Sequence, residues 1–130
     1  MAVRISHTTF DCRNAYELSA FWANVLRFTD VPGDPNEPGH EECMIIDPDG
    51  GQRLLFIEVP EPKQVKNRVH LDLVPTDRTR DEEIERVLAL GARPVDDLRR
   101  DDGTGWLGLA DPEGNEFCIL RSDAERAAAE

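Results

Sequence analysis

Two histidines in this 130-residue chain stand in nearly the same local setting, and their residue type invites chemistry. His7 is followed by Thr-Thr-Phe-Asp and His70 by Leu-Asp-Leu, an offset of 63 positions. An imidazole titrates near neutral pH, so each can move a proton, hydrogen-bond a ligand or bind a transition metal. On an extended strand His70 and Asp72 share a face, a spacing that suits an acid/base pair or an ordinary hydrogen bond. His7, His70 and Asp72 are therefore the candidate catalytic residues. Three further side chains are candidates for holding a ligand. Trp106 can stack on one or plug the end of a sheet, Arg68 can hold an anion or pair with acidic surface, and Cys118 can line a site or simply pack. Glu116, two residues before Cys118 and so on the same strand face, offers a carboxylate.

Those residues need elements to position them, and the chain marks such elements twice. Asp47-Pro48-Asp49-Gly50 recurs as Asp111-Pro112-Glu113-Gly114 at an offset of 64, close to the offset of the histidines. Alternation over Ile5 to Cys12 predicts a strand with His7, Thr9 and Asp11 on one face. Asn14 can cap a helix whose stripe is Leu18, Phe21, Trp22 and Val25. A Pro- and Gly-rich loop follows, then strands at Cys43 to Asp47 and Arg53 to Val59 around the first Asp-Pro turn. The second copy repeats the order. A strand spans Val69 to Val74, and Thr76 or Asp77 opens a helix with Ile84, Val87 and Leu88 inward and Gly91 at its C-terminal end. Ala92 to Val95 is extended, and Trp106 to Ala110 and Phe117 to Leu120 are strands around the second turn. One strand of the first copy is poorly marked. The pattern predicts an α+β fold of two βαβββ modules: module 1 over about 3–60, a linker at 60–66, module 2 over about 67–122. Together these make one domain, 1–122, followed by an acidic, Ala-rich tail at 123–130.

Composition narrows the partners. Hydrophobic residues are 39% and charged residues 32%, a globular profile. The net charge is −12, and residues 1–65 (5 basic, 11 acidic) and 66–130 (10 basic, 16 acidic) each carry −6. No basic face hides behind an acidic tail, so nucleic acid and anionic membrane are excluded as expected partners. The N-terminal residues lack the charged and apolar runs of a signal peptide, and the run Leu54-Leu55-Phe56-Ile57 is far too short to span a bilayer. Cys12, Cys43 and Cys118 show no CxxC spacing and read as reduced thiols of a cytoplasmic protein.

Asn67-Arg68-Val69-His70-Leu71-Asp72-Leu73, Leu90-Gly91-Ala92 and Asp111-Pro112-Glu113-Gly114-Asn115-Glu116-Phe117-Cys118-Ile119-Leu120 resemble the glyoxalase-like branch of the vicinal-oxygen-chelate superfamily. That group holds glyoxalase I lyases, extradiol dioxygenases, epimerases and bleomycin-type antibiotic resistance proteins. The resemblance runs from about Ile5 to Leu120. It implies paired modules forming a U-shaped mixed sheet around a ligand cleft, helices on the outer face, and frequent assembly as a homodimer. It also implies, in metal-using members, one ligand from the first and one from the last strand of each module. His7 and His70 match the two first-strand positions. Seven residues after the Asp of each Asp-Pro turn, where the resemblance puts the last-strand ligand, stand Cys118 and either Leu54 or Leu55. Two acidic ligands are missing from their places.

Fold does not decide reaction here. The reading favoured by the residues is a metal-independent protein that binds or transforms a small ligand through His7, His70 and Asp72. The alternative is a lyase or dioxygenase in which His7, His70 and Glu116 hold a divalent Fe, Ni, Zn or Mn ion as a Lewis acid. A third reading, an interaction domain with a vestigial cleft, requires an exposed apolar patch.

Overall fold

A computed structural model describes residues 2–129. The chain is α+β and divides into two compact units, Met1–Lys63 and Gln64–Glu130. The first contains β1 (Thr8–Cys12), α1 (Ala15–Leu26), β2 (Thr29–Asp30), β3 (Glu42–Ile46) and β4 (Arg53–Glu58). The second contains β5 (Leu71–Leu73), α2 (Arg80–Leu90), β6 (Arg93–Asp97), β7 (Leu107–Ala110) and β8 (Glu116–Ile119), followed by α3 (Asp123–Ala128). Each unit is a βαβββ module with a four-stranded mixed sheet, ordered β1-β4-β3-β2 in one and β5-β8-β7-β6 in the other. In both, the first strand runs parallel to the last and the other pairs are antiparallel.

Helix α1 forms where its apolar stripe and cap agree. The Asn14 side chain accepts from the Glu17 amide, satisfying one of the N–H groups a helix start leaves over. Leu18, Phe21, Trp22 and Val25 are all buried, each contributing about 1.5–3 kcal/mol by removal from water. Trp22 meets Phe10 of β1 at 5.8 Å between ring centroids, and Phe10 meets Phe56 of β4 at 5.2 Å. In the second unit Ile84 and Val87 of α2 are buried with Leu107, Leu109, Phe117 and Ile119 of the sheet. Gly91, at φ 122°, ends the helix in a backbone region that favours glycine.

The structure corrects three boundaries. Helix α2 is capped by Thr79, not by Thr76 or Asp77. Only Thr79 has a glutamate three residues on, and Glu82 returns a hydrogen bond to the Thr79 amide to complete a reciprocal box. Strand β1 begins at Thr8, because its partner β4 ends its pairing at Leu54 and leaves Ile5 exposed with no ladder. Strand β5 begins at Leu71, where its pairing with Phe117 of β8 begins. The poorly marked strand of the first copy is β2, only two residues long. Part of the expected tail forms α3, whose Glu125 carboxylate accepts from the Arg80 amide at the start of α2. No described helix is long and apolar enough to cross a membrane.

Candidate functional site

The second sheet carries a row of four residues straight across its strands. Asp72 of β5 pairs with Cys118 of β8, Cys118 with Gly108 of β7, and Gly108 with Asp96 of β6. Their strand neighbours Leu107, Leu109, Phe117 and Ile119 are buried in the core with Ile84 and Val87 of α2, so by alternation the row looks out from the opposite face. A cavity of about 530 Å³ lies over that row, within the size range of small-molecule sites. Gly108 supplies floor without a side chain. Val95, Leu98, Trp106 and Leu120 supply apolar wall, and Lys66, His70 and Glu116 add polar groups.

Local irregularity shapes the wall. The β6–β7 register shifts between Pro94 and Asp96, a bulge that lets the consecutive residues Val95 and Asp96 both line the cavity. Val95, Leu98 and Trp106 stay 50%, 47% and 38% exposed, so this wall is apolar surface that no described residue covers. Trp106 is set by the loop before β7. Its carbonyl accepts from the Leu98 amide at 2.9 Å. The preceding carbonyls of Gly103, Thr104 and Gly105 accept from one guanidinium nitrogen of Arg80 at 3.2, 3.4 and 3.1 Å. Arg80 is itself buried. Gly105 sits at φ 89°, and a Cβ there would reach within 2.0 Å of the Leu98 carbonyl oxygen, so neither conformation nor space admits a side chain.

At the other strand ends, the Asp-Pro-Glu-Gly-Asn-Glu run is more than a turn. The buried Asp111 carboxylate accepts from the amides of Glu113 and Asn115 at 2.9 Å each, and from the Asn115 side chain. Asn115 accepts from the Asn67 side chain at 3.0 Å, and the Asn67 amide donates to Glu116 at 3.0 Å. This chain of bonds braces the segment leading into His70.

His70 Nε2 lies 3.4 Å from Asp72 Oδ1. The Cys118 thiol stands beside the same carboxylate. Burial first, and then the Asp72 charge, push the Cys118 thiol above its ordinary range, so it stays protonated at neutral pH and is no nucleophile. The arrangement sets an imidazole and a carboxylate side by side at the edge of the cavity.

Of the sequence candidates, the structure brings His70, Asp72, Trp106, Cys118 and Glu116 to one cavity. Arg68 is exposed and is not among its lining residues. His7 belongs to the first unit, immediately before β1, with its Nδ1 2.9 Å from the Ser6 hydroxyl. Sequence reasoning missed Lys66, Asp96, Gly108 and Arg80. Alternation on β7 could have found Gly108, but the bulge that turns Asp96 inward and the reach of Arg80 to a distant loop leave no local signal.

The metal pattern implied by the resemblance does not fit these donors. Leu55 pairs with Thr9 as Cys118 pairs with Asp72, so Leu55 is the first unit's counterpart, and leucine has no lone pair to give. The ligating atoms of His70, Asp72 and Cys118 lie within 4.8 Å of one another, a donor set that differs from the one the resemblance implies. Glu116 is not in that group, and its carboxylate takes the Asn67 amide.

Against known proteins, a family model described as the glyoxalase-like domain matches residues 7–120. The chain belongs to the glyoxalase-like domain family. This glyoxalase-like protein shares its fold with solved members of the vicinal-oxygen-chelate superfamily. The fosfomycin resistance protein FosX from Mesorhizobium loti is 20% identical, with 98% of this chain and 99% of that one covered at a TM-score of 0.67. A mutant FosX from Listeria monocytogenes, complexed with Mn(II) and 1S,2S-dihydroxypropylphosphonic acid, is 20% identical, with 97% and 95% covered at 0.70. A glyoxalase/bleomycin resistance protein/dioxygenase family enzyme from Burkholderia phytofirmans is 18% identical, with 90% and 97% covered at 0.67. At this identity the likeness carries the fold alone. No curated protein matches.

Proposed function

We propose that this glyoxalase-like protein binds a small organic molecule over the second sheet, without a metal, and that His70 and Asp72 form the polar contact at which a proton can be exchanged. The observation that carries this reading is the cavity of about 530 Å³ whose floor is Gly108 and whose wall includes the uncovered ring of Trp106. Apolar wall supplies affinity through burial, and the few polar groups orient the guest. A Cβ on Gly108 would meet Asp96 atoms at 3.4–3.6 Å. That distance tolerates a side chain, while a long one would fill the cavity.

The test is a thermal-shift screen of aromatic and dicarbonyl compounds run in excess chelator, followed by titration calorimetry. A ligand that binds only the folded chain raises the melting temperature. Gly108→Met should abolish binding and keep the fold, and Trp106→Ala should weaken binding about tenfold or more. Ligands that bind Gly108→Met as well as the parent would overturn the site.

One observation favours a second reading. His70, Asp72 and Cys118 place imidazole, carboxylate and thiol together, a donor mix that suits a borderline ion such as zinc. On that reading the protein is a divalent-metal-dependent lyase or dioxygenase. Elemental analysis of protein purified without added metal decides: a stoichiometric transition metal that His70→Ala removes would reverse the order of the two readings.

A further inference from the structure

We infer that the cavity selects a ligand with a positive charge on a flat apolar body, an aromatic or heteroaromatic amine, and rejects phosphonates and carboxylates; this rests on the reading that the cavity is a ligand site. The charges on its lining carry the inference. Asp72, Asp96 and Glu116 present three carboxylates, and Lys66 presents one ammonium.

The three acids are not equivalent. Asp72 is engaged by His70, and Glu116 by the Asn67 amide. Among the described residues, no hydrogen bond or ion pair engages the Asp96 carboxylate. It ends the row Asp72, Cys118, Gly108, Asp96, three strand spacings or about 14 Å from Asp72. A guest lying over Gly108 can therefore put a cationic group against Asp96. The same β6–β7 edge carries Trp106, whose ring attracts a cation through its face.

An anion meets the reverse. One lysine must offset three carboxylates, no arginine among the described residues lines the cavity, and the chain carries −12 overall. A phosphonic acid of the kind held in the Listeria structure finds no matching set of cations here.

The experiment compares 1-naphthylmethylammonium, 1-naphthalenemethanol and 1-naphthylmethylphosphonate by titration calorimetry in chelator, on the parent chain and on Asp96→Asn. The ammonium compound should bind about tenfold more tightly than the alcohol, and the phosphonate most weakly. Asp96→Asn should bring the ammonium compound to the level of the alcohol measured on the same variant. Raising salt should weaken the ammonium compound alone, a readout that needs no variant. Equal binding of ammonium and alcohol, or tightest binding of the phosphonate, overturns the charge preference and leaves the site standing. Absence of binding by all three, together with no hit in the broader screen, overturns the site itself.

Discussion

The two units share one topology and differ in what they lay across the free face of the sheet. In the first, the row is Thr9, Leu55 and Met44, and in the second it is Asp72, Cys118 and Gly108, paired strand for strand in the same way. Leucine and methionine stand at the positions that thiol and glycine take in the second unit. The opposite faces differ less in purpose than in material. The first unit packs Phe10, Trp22 and Phe56 together, and the second packs Phe117 with aliphatic Ile84, Leu109 and Ile119. A duplicated module thus keeps its helix-facing core and varies its other face, because only the core face is bound by close packing.

The helix starts give the largest expected contrast. The first helical residue is Ala15 in one unit and Arg80 in the other, and each donates its amide to a distant glutamate, Glu58 or Glu125. Only Arg80 has a side chain long enough to hold a loop. Arg80→Ala should therefore cost about 2–4 kcal/mol, the loss of a buried charged donor to three carbonyls. It should also shift the Trp106 indole resonance. Urea unfolding with an NMR spectrum of the indole protons checks both, and an unmoved indole signal would show that the loop holds its own shape.

The paired turns give a smaller contrast. Asp111 is buried and accepts four hydrogen bonds, while the half-exposed Asp47 accepts the Asp49 amide in an ordinary local turn. Asp111→Ala should cost about 2–3 kcal/mol and Asp47→Ala about 1 kcal/mol or less. Equal losses in urea midpoints would mean that the brace through Asn115 and Asn67 is dispensable.

The smallest effect concerns the thiol that replaces leucine in the row. Because Cys118 is raised above its ordinary value of 9.0, its alkylation rate with iodoacetamide should still be climbing at that pH and level off only above it. The sign for stability follows. The folded chain holds the proton longer than the unfolded one, so the contribution is full below pH 9.0 and is lost as pH rises through the folded value. An alkylation profile that inflects near neutral pH would show a thiolate and weaken the metal-free reading.

Much of this was legible in the chain. The stripe Leu18, Phe21, Trp22, Val25, the cap at Asn14, the Gly91 terminus and the repeated Asp-Pro turns set both modules, since period, capping and turn chemistry are local properties. Alternation alone places His70 with Asp72 on one strand face and Glu116 with Cys118 on another. What local pattern could not reach was the company they keep. Asp96 joins them through a bulge, Gly108 matters because of the strands on either side, and Arg80 acts on a loop more than twenty residues away. The sequence by itself determined the two modules and the polar face of each. Only tertiary structure decided that a cavity opens over the second sheet, because an open cavity is a property of side chains from four strands meeting in register, and no single strand encodes that meeting.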